Sequence, residues 1–314
     1  MDNSIISVSN LIKSYKDIVA VDGISFNAYK GEILGILGPN GSGKTTTLKS
    51  ILGLILFDSG DIHVSGMDVK KDHLKILRNT GAVLEGARNI YWHLSPEENL
   101  KYFAGLRGLS HSHIKERMNI LLHELELADV RKKEIREFSK GMKQKVALAC
   151  AFIHDPEILL LDEPTLGLDV EISRVMRNWL KEVVQKSGKS ILVTSHDMDF
   201  IESVCDRVLI IKEGRILSHE TLQSLKMKFS RKVFHLEIAD TLDQNTFRRI
   251  EELGELTIEN TDNGCRLIIL LKNAMLIYDL LEILRSADSE ITDFSTVESD
   301  LEDIFLNVIK DEPE

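Results

Sequence analysis

The clearest chemistry in this sequence is a place to hold phosphate. Gly38-Pro39-Asn40-Gly41-Ser42-Gly43-Lys44-Thr45 fits the spacing G-x-x-x-x-G-K-[ST], between a predicted strand and a predicted helix. The glycines let the backbone wrap an anion so that successive N–H groups point inward, and the helix N-terminus adds positive potential. Lys44 is expected to reach the β- and γ-phosphates, Thr45 to ligate Mg²⁺, and Thr46 to complete the contacts. A glycine-rich turn that binds nothing is the alternative, but strand, loop, lysine and helix all stand in the required order. A second constellation is Leu160-Leu161-Asp162-Glu163-Pro164-Thr165. An apolar strand ending in Asp162 sets a carboxylate where the cation of a nucleotide would sit. Glu163, one residue on, is suited to orient or deprotonate an attacking water. Solvated acids at a strand end are common, yet beside a phosphate loop in the same chain they read as the other half of a nucleoside triphosphate site.

Such groups need a rigid frame. Ile33–Leu37, Ile158–Leu161, Ile191–Val193 and Val208–Ile211 are apolar without alternation, as strands of a parallel sheet covered on both faces are. A mostly helical stretch is expected from about Leu94 to His154, opened by Ser95-Pro96-Glu97-Glu98 with a serine cap, a first-position proline and a glutamate three residues on. The expected class is α/β. Beyond Glu220 the pattern changes. Val233–Ile238 alternates like a half-exposed strand, Arg266–Leu271 reads as another, and Ala274–Leu284 has an apolar helical face. Ser299-Asp300-Leu301-Glu302 forms a capping box for a final helix with Leu301, Ile304, Phe305 and Val308 on one side. The boundary is placed near Leu222 to Ser230, giving domains 1–221 and 222–314, the second a small α+β unit without assigned chemistry. Its last helix either packs on its own sheet or contacts a second copy.

Composition narrows the class further. The 314 residues carry 39 basic and 50 acidic side chains, a formal net charge of −11, with 43% hydrophobic and 28% charged residues. That is globular rather than disordered, and the acidic balance disfavours a nucleic-acid footprint. The longest apolar run, Ile51 to Phe57, falls far short of the ~20 residues that cross a bilayer. Met1-Asp2-Asn3-Ser4 lacks the features of a secretory leader. Three scattered cysteines, Cys150, Cys205 and Cys265, suggest neither a metal site nor a disulfide framework. The expectation is a reduced cytosolic protein.

Over roughly Ser4 to Glu220 the chain resembles the nucleotide-binding subunit of an ATP-binding cassette (ABC) transporter. The most specific element is Phe138-Ser139-Lys140-Gly141-Met142-Lys143-Gln144, upstream of the Asp162 strand, which resembles the ABC signature. Ser139 and Gly141 would open a helix with Val146, Ala149, Cys150 and Ile153 on its apolar face, its N-terminus aimed at the γ-phosphate held by a second subunit. The resemblance implies that Tyr15 stacks on adenine and that Gly167-Leu168-Asp169 forms a loop crossing to the partner. It also implies that His196, after Val193-Thr194-Ser195, contacts the γ-phosphate. Two departures stand out. Lys140 and Met142 replace the usual glycine and glutamine of the signature, and Glu85, in Val83-Leu84-Glu85-Gly86, takes the place of a glutamine that couples Mg²⁺ to the transporter. Both variations, and Asp300–Leu306 near the C-terminus, resemble the type-2 exporter branch of drug-resistance and sodium-extrusion ATPases.

The resemblance implies an ATP- and Mg²⁺-dependent hydrolase working as a homodimer on the cytoplasmic face of the membrane, driving a permease made by another polypeptide. The sequence leaves two alternatives open. One is a non-transport ABC ATPase acting on ribosomes, DNA or an assembly scaffold, although relatives of that kind usually carry two cassettes or long coiled coils. The other is an ATP-binding clamp without turnover, which the presence of Lys44, Asp162, Glu163 and His196 disfavours.

Overall fold

The non-alternating apolar runs become central strands in a computed structural model that describes residues 3–85, 90–229, 232–239, 242–261, 264–271 and 273–298, with positions 301 and 305. The chain divides into two compact units, Met1–Leu222 and Gln223–Glu314. The first opens with a hairpin, β1 (Ser4–Tyr15) and β2 (Ile18–Tyr29). β3 (Ile33–Leu37) then leads through the glycine loop into α1 (Lys44–Ile51). β4 (Ser59–Val64), β5 (Met67–Asp68), α2 (Val69–Asn79) and β6 (Thr80–Val83) follow. The helical stretch contains α3 (Pro96–Leu106), α4 (His111–Glu124) and α5 (Lys140–Phe152). Next come β7 (Ile158–Asp162), α6 (Val170–Ser187), β8 (Ser190–Ser195), α7 (Met198–Val204), β9 (Arg207–Lys212) and β10 (Arg215–Thr221).

Six strands form the central sheet in the order β10-β9-β3-β8-β7-β6. All neighbours are parallel except β10 on β9. Every residue of β3, β7 and β8 is buried, as parallel strands covered on both faces require. The other sheet of this unit, β2-β1-β4-β5, is antiparallel and alternates buried with exposed positions. Its Leu11, Ile24 and Phe26 share one core with Leu48 and Ile51 of α1 and with Leu34, Ile36, Leu160 and Leu192 of the central sheet. Each such fully buried side chain contributes about 1.5–3 kcal/mol, so α1 is clamped and the loop before it is held. β3 lies between β9 and β8, with β7 next. The order of connection therefore reverses beside β3, and the carboxyl ends of β3, β7 and β8 converge where such sheets hold ligands.

The capping box expected at Ser95 is present: its hydroxyl accepts the Glu98 N–H at 3.3 Å while Glu98 accepts the Ser95 N–H at 2.8 Å. α5 differs from the amphipathic helix expected from its sequence. Its whole length from Gln144 to Phe152 is buried, because neighbours cover it on all sides.

In the second unit, α8 (Leu222–Phe229) is followed by β11 (Lys232–Ile238), α9 (Gln244–Glu251), β12 (Gly254–Thr261), β13 (Gly264–Leu271), α10 (Ile277–Ser286) and β14 (Ile291–Glu298). The strands pair antiparallel in the order β12-β13-β11-β14, a split β-α-β arrangement. Phe234, Leu236, Leu267 and Ile269 meet Ile250 of α9 and Leu280 and Leu284 of α10 in its core. The helix expected over Ala274–Leu284 starts as a 3₁₀ turn, Ala274–Leu276, before α10. Of the final helix only Leu301 and Phe305 are described; both are helical and buried, and the remainder of that stripe lies outside the described residues.

Candidate functional site

The glycine loop owes its shape to backbone states other residues avoid. Gly41 and Gly43 have φ of 82° and 103°, and a Cβ at Gly43 would collide with the Ala20 carbonyl. Gly43 also caps α1, with no side chain accepting from the first-turn amides and no acidic residue in that turn. Those amides are left for an anion. Lys44, though buried, has its Nζ satisfied: it donates to the carbonyls of Gly38 at 2.7 Å and Pro39 at 3.1 Å and stands 3.6 Å from Glu163 Oε1. Burial pushes its ammonium below the ordinary lysine range, against the pull of Glu163, Asp162 and Glu85.

Asp162 ends β7 at 1% exposure. Its Oδ1 accepts from Thr45 Oγ1 at 3.0 Å and from Thr194 Oγ1 at 2.6 Å, and its Oδ2 is buried without a partner among the described residues. An orphaned carboxylate oxygen beside the Thr45 hydroxyl is an all-oxygen donor set that suits a hard cation such as Mg²⁺. Glu163 follows in the left-handed region, φ 48°, which swings its carboxylate from the strand end into the cleft. Its Oε2 lies 2.9 Å from His196 Nδ1, while its N–H bonds to the Thr194 carbonyl at 3.1 Å.

Tyr15, Ala20, Asn40, Gly41, Ser42, Gly43, Lys44, Thr45, Thr46, Glu85, Glu163, Leu166 and His196 line one cleft of about 550 Å³. Gly38 and Pro39 lie behind it, turning their carbonyls to Lys44. Tyr15 is half-exposed at the end of β1, with Lys13 Nζ 5.2 Å from the centre of its ring. The β1–β2 hairpin is tied to the loop through Gly214, whose N–H donates to Ser42 O and whose carbonyl accepts from Asp22. Ala20 and Leu166 carry no chemistry by residue type; only their closeness to the loop in the fold identifies them.

Ser139, Gly141 and Asp169 do not line this cleft. Ser139 is exposed and caps α5, accepting the Met142 N–H at 3.2 Å. Asp169 is likewise exposed and caps α6, accepting the Ile172 N–H at 2.8 Å. A Cβ at Gly141 would run into Ile172, so this glycine lets α5 and α6 approach closely. Lys140, in place of the usual glycine, reaches from α5 to the Leu166 carbonyl at 2.5 Å. A second cleft, of about 290 Å³, joins Glu85 and Glu163 to Trp92, Lys140, Lys143 and Gln144.

Residues 21–166 match the family model described as "ABC transporter". The ABC transporter ATP-binding protein NatA of Bacillus subtilis is 39% identical over 210 residues, covering 67% of this chain and 85% of that protein. The chain belongs to the ABC transporter ATP-binding family. Linearmycin resistance ATP-binding protein LnrL of Bacillus subtilis is 35% identical over 250 residues, covering 79% of the chain and 76% of its own length. Among solved structures, the dimeric ATP-binding cassette MJ0796, in a post-hydrolysis state bound to ADP and Pi, is 27% identical with a TM-score of 0.64. That match covers 69% of this chain and 98% of the cassette. As an ABC protein the chain is an ATP-binding α/β hydrolase that cleaves ATP. Among its described residues no helix is long and apolar enough to cross a membrane.

Proposed function

We propose that this chain is the ATP-hydrolysing subunit of an exporter, turning over ATP to move a drug, antibiotic or ion through a separate membrane permease. The observation that carries the chemistry is the Oδ2 of Asp162, buried and without a partner among the described residues, in a carboxylate hydrogen-bonded to Thr45, with Glu163 turned into the cleft that Thr45 lines. Thr45, Asp162 and Glu85 are assigned to Mg²⁺, which when bound would neutralise charge on the β- and γ-phosphates. The loop amides and Lys44 hold those phosphates, and Tyr15 offers its ring to adenine. Glu163 accepts a proton from the attacking water, and His196, hydrogen-bonded to it, holds the carboxylate and reaches the γ-phosphate. Ser139, Gly141 and Asp169 stand apart from the cleft of their own subunit, which supports their use by a second copy. Two cassettes would then enclose two ATP molecules, and closing and reopening would supply the stroke. Export is supported by relatives named for antibiotic resistance, such as LnrL.

The experiment is recovery of tagged Glu163→Gln chain, with ATP present, from detergent-extracted membranes of the source cell. A multi-spanning membrane protein should accompany it in stoichiometric amount. Recovery with ribosomes or DNA, and no membrane protein, would overturn the exporter reading.

A further inference from the structure

Thr194 lies near the carboxyl end of β8, inside the central sheet, wholly buried and not among the residues lining the cleft. Parallel pairing of β7 with β8 sets it directly beside Asp162. Its hydroxyl donates to Asp162 Oδ1 at 2.6 Å, and the same oxygen accepts the Glu163 N–H at 3.2 Å. A hydroxyl has one proton and two lone pairs, so this donor and this acceptor are compatible. With Thr45 also donating to Oδ1, one carboxylate oxygen of Asp162 holds two hydrogen bonds and the other, among the described residues, holds none. We propose that Thr194 is a positioning residue for ATP hydrolysis: its hydroxyl turns the Asp162 carboxylate so that Oδ2 faces the divalent cation, and holds the Glu163 amide beside it.

The inference rests on the reading of Asp162 as a Mg²⁺ carboxylate and goes one step behind it. Thr45 can ligate the cation through a lone pair while still donating its proton to Oδ1, but its hydroxyl then takes its orientation from the cation as well as from Asp162. Thr194 touches no ligand position and can hold Asp162 throughout a cycle. The hold on Glu163 matters for a separate reason. A non-glycine residue at φ 48° keeps that conformation only when its surroundings impose it. Thr194 supplies two of those restraints, its carbonyl and its hydroxyl. Branching at Cβ further limits the rotamers open to it, so the hydroxyl is aimed before any nucleotide arrives.

The test uses the full chain as wild type, Thr194→Val, which keeps the shape and removes the hydroxyl, and Thr194→Ser, which keeps the hydroxyl. Groups that orient metal ligands typically change metal affinity or activity by about 10–100-fold when removed. Thr194→Val should raise the Mg²⁺ concentration for half-maximal hydrolysis by that factor. It should weaken Mn²⁺ binding to the complex with a non-hydrolysable ATP analogue, read by electron paramagnetic resonance, by a similar factor. Nucleotide affinity in EDTA should stay at the wild-type value, and Thr194→Ser should restore the metal dependence. If the valine variant does not fold, Thr194→Cys, with a weak S–H donor, should show the same change at smaller amplitude. A folded valine variant with unchanged Mg²⁺ and Mn²⁺ dependence would overturn the proposal, as would equal losses of metal and metal-free nucleotide binding. Absence of ATP hydrolysis in the wild type would instead strike the ATPase reading, while the Mn²⁺ comparison would still report on Thr194.

Discussion

Replacing Lys44 with alanine tests how the loop recognises phosphate. In the free protein its ammonium already has two carbonyl acceptors, at 2.7 and 3.1 Å, and Glu163 at 3.6 Å. On the proposed reading, binding ATP would exchange neutral carbonyls for charged phosphate oxygens rather than create contacts from nothing. The net gain is that of about one charge-assisted hydrogen bond, roughly 1.5–3 kcal/mol. Lys44→Ala should accordingly weaken ATP binding by roughly 10- to 150-fold, at 1.4 kcal/mol per factor of ten. The substitution also strands the Gly38 and Pro39 carbonyls behind the loop, so the melting temperature without nucleotide should fall as well. Titration with a fluorescent ATP analogue reads the affinity, and thermal unfolding reads the cost to the fold. An ATP affinity within twofold of wild type would refute the exchange argument and remove Lys44 from the phosphate contacts.

Three further outcomes follow from the geometry. Glu163→Gln with ATP should shift from monomer towards dimer on size exclusion, and adding Ser139→Arg should block the shift by placing a bulky cation at the α5 N-terminus; an unaltered dimer would contradict a site shared between subunits. Glu85 lines both clefts as an oxygen donor that cannot donate a hydrogen bond when ionised, so Glu85→Gln should keep hydrolysis and change chiefly the permease-stimulated rate. Complete loss of phosphate release in the isolated chain would make Glu85 catalytic instead. His154 and His219 are each pushed down to about 4 by burial, with the Arg107 and Arg207 charges adding to the effect. The unfolded chain protonates both near pH 6.5, so between pH 4 and 6.5 it binds more protons than the fold and stability rises with pH. The gain should be about 1–2 kcal/mol apiece, allowing for their partial exposure. Urea unfolding across that window checks it; an identical slope in the His154→Gln, His219→Gln double variant would contradict it.

The parts of the fold legible in sequence were those with one dominant signal. β3, β7 and β8 could be read because a strand covered on both faces keeps an uninterrupted, non-alternating apolar run, here Ile33–Leu37, Ile158–Leu161 and Ile191–Val193. β12 and β14 could not. Gly254–Thr261 and Ile291–Glu298 are rich in threonine and acids, and they are the two outer strands of their sheet. α9 escaped the pattern too: Asp243 caps it, accepting the Asn245 and Thr246 amides, but its apolar content is thin. At the site, residue type and spacing pointed to the loop, Asp162 and Glu163, and the family resemblance to His196; the fold brings these into contact. The left-handed turn at Glu163, the unpartnered Oδ2 of Asp162 and the reach of Lys140 to Leu166 depend on strand register and helix approach, which no local pattern encodes.

The measurement that bears most directly on the account is phosphate release from saturating Mg²⁺-ATP by the purified wild type and by Glu163→Gln, with ATP affinity measured on both. A general base contributes ~10²–10⁴-fold, so the variant should bind ATP as the wild type does and release phosphate slower by that factor. Equal rates of release would contradict the assignment of Glu163, and with it the proposed division of labour in the cleft.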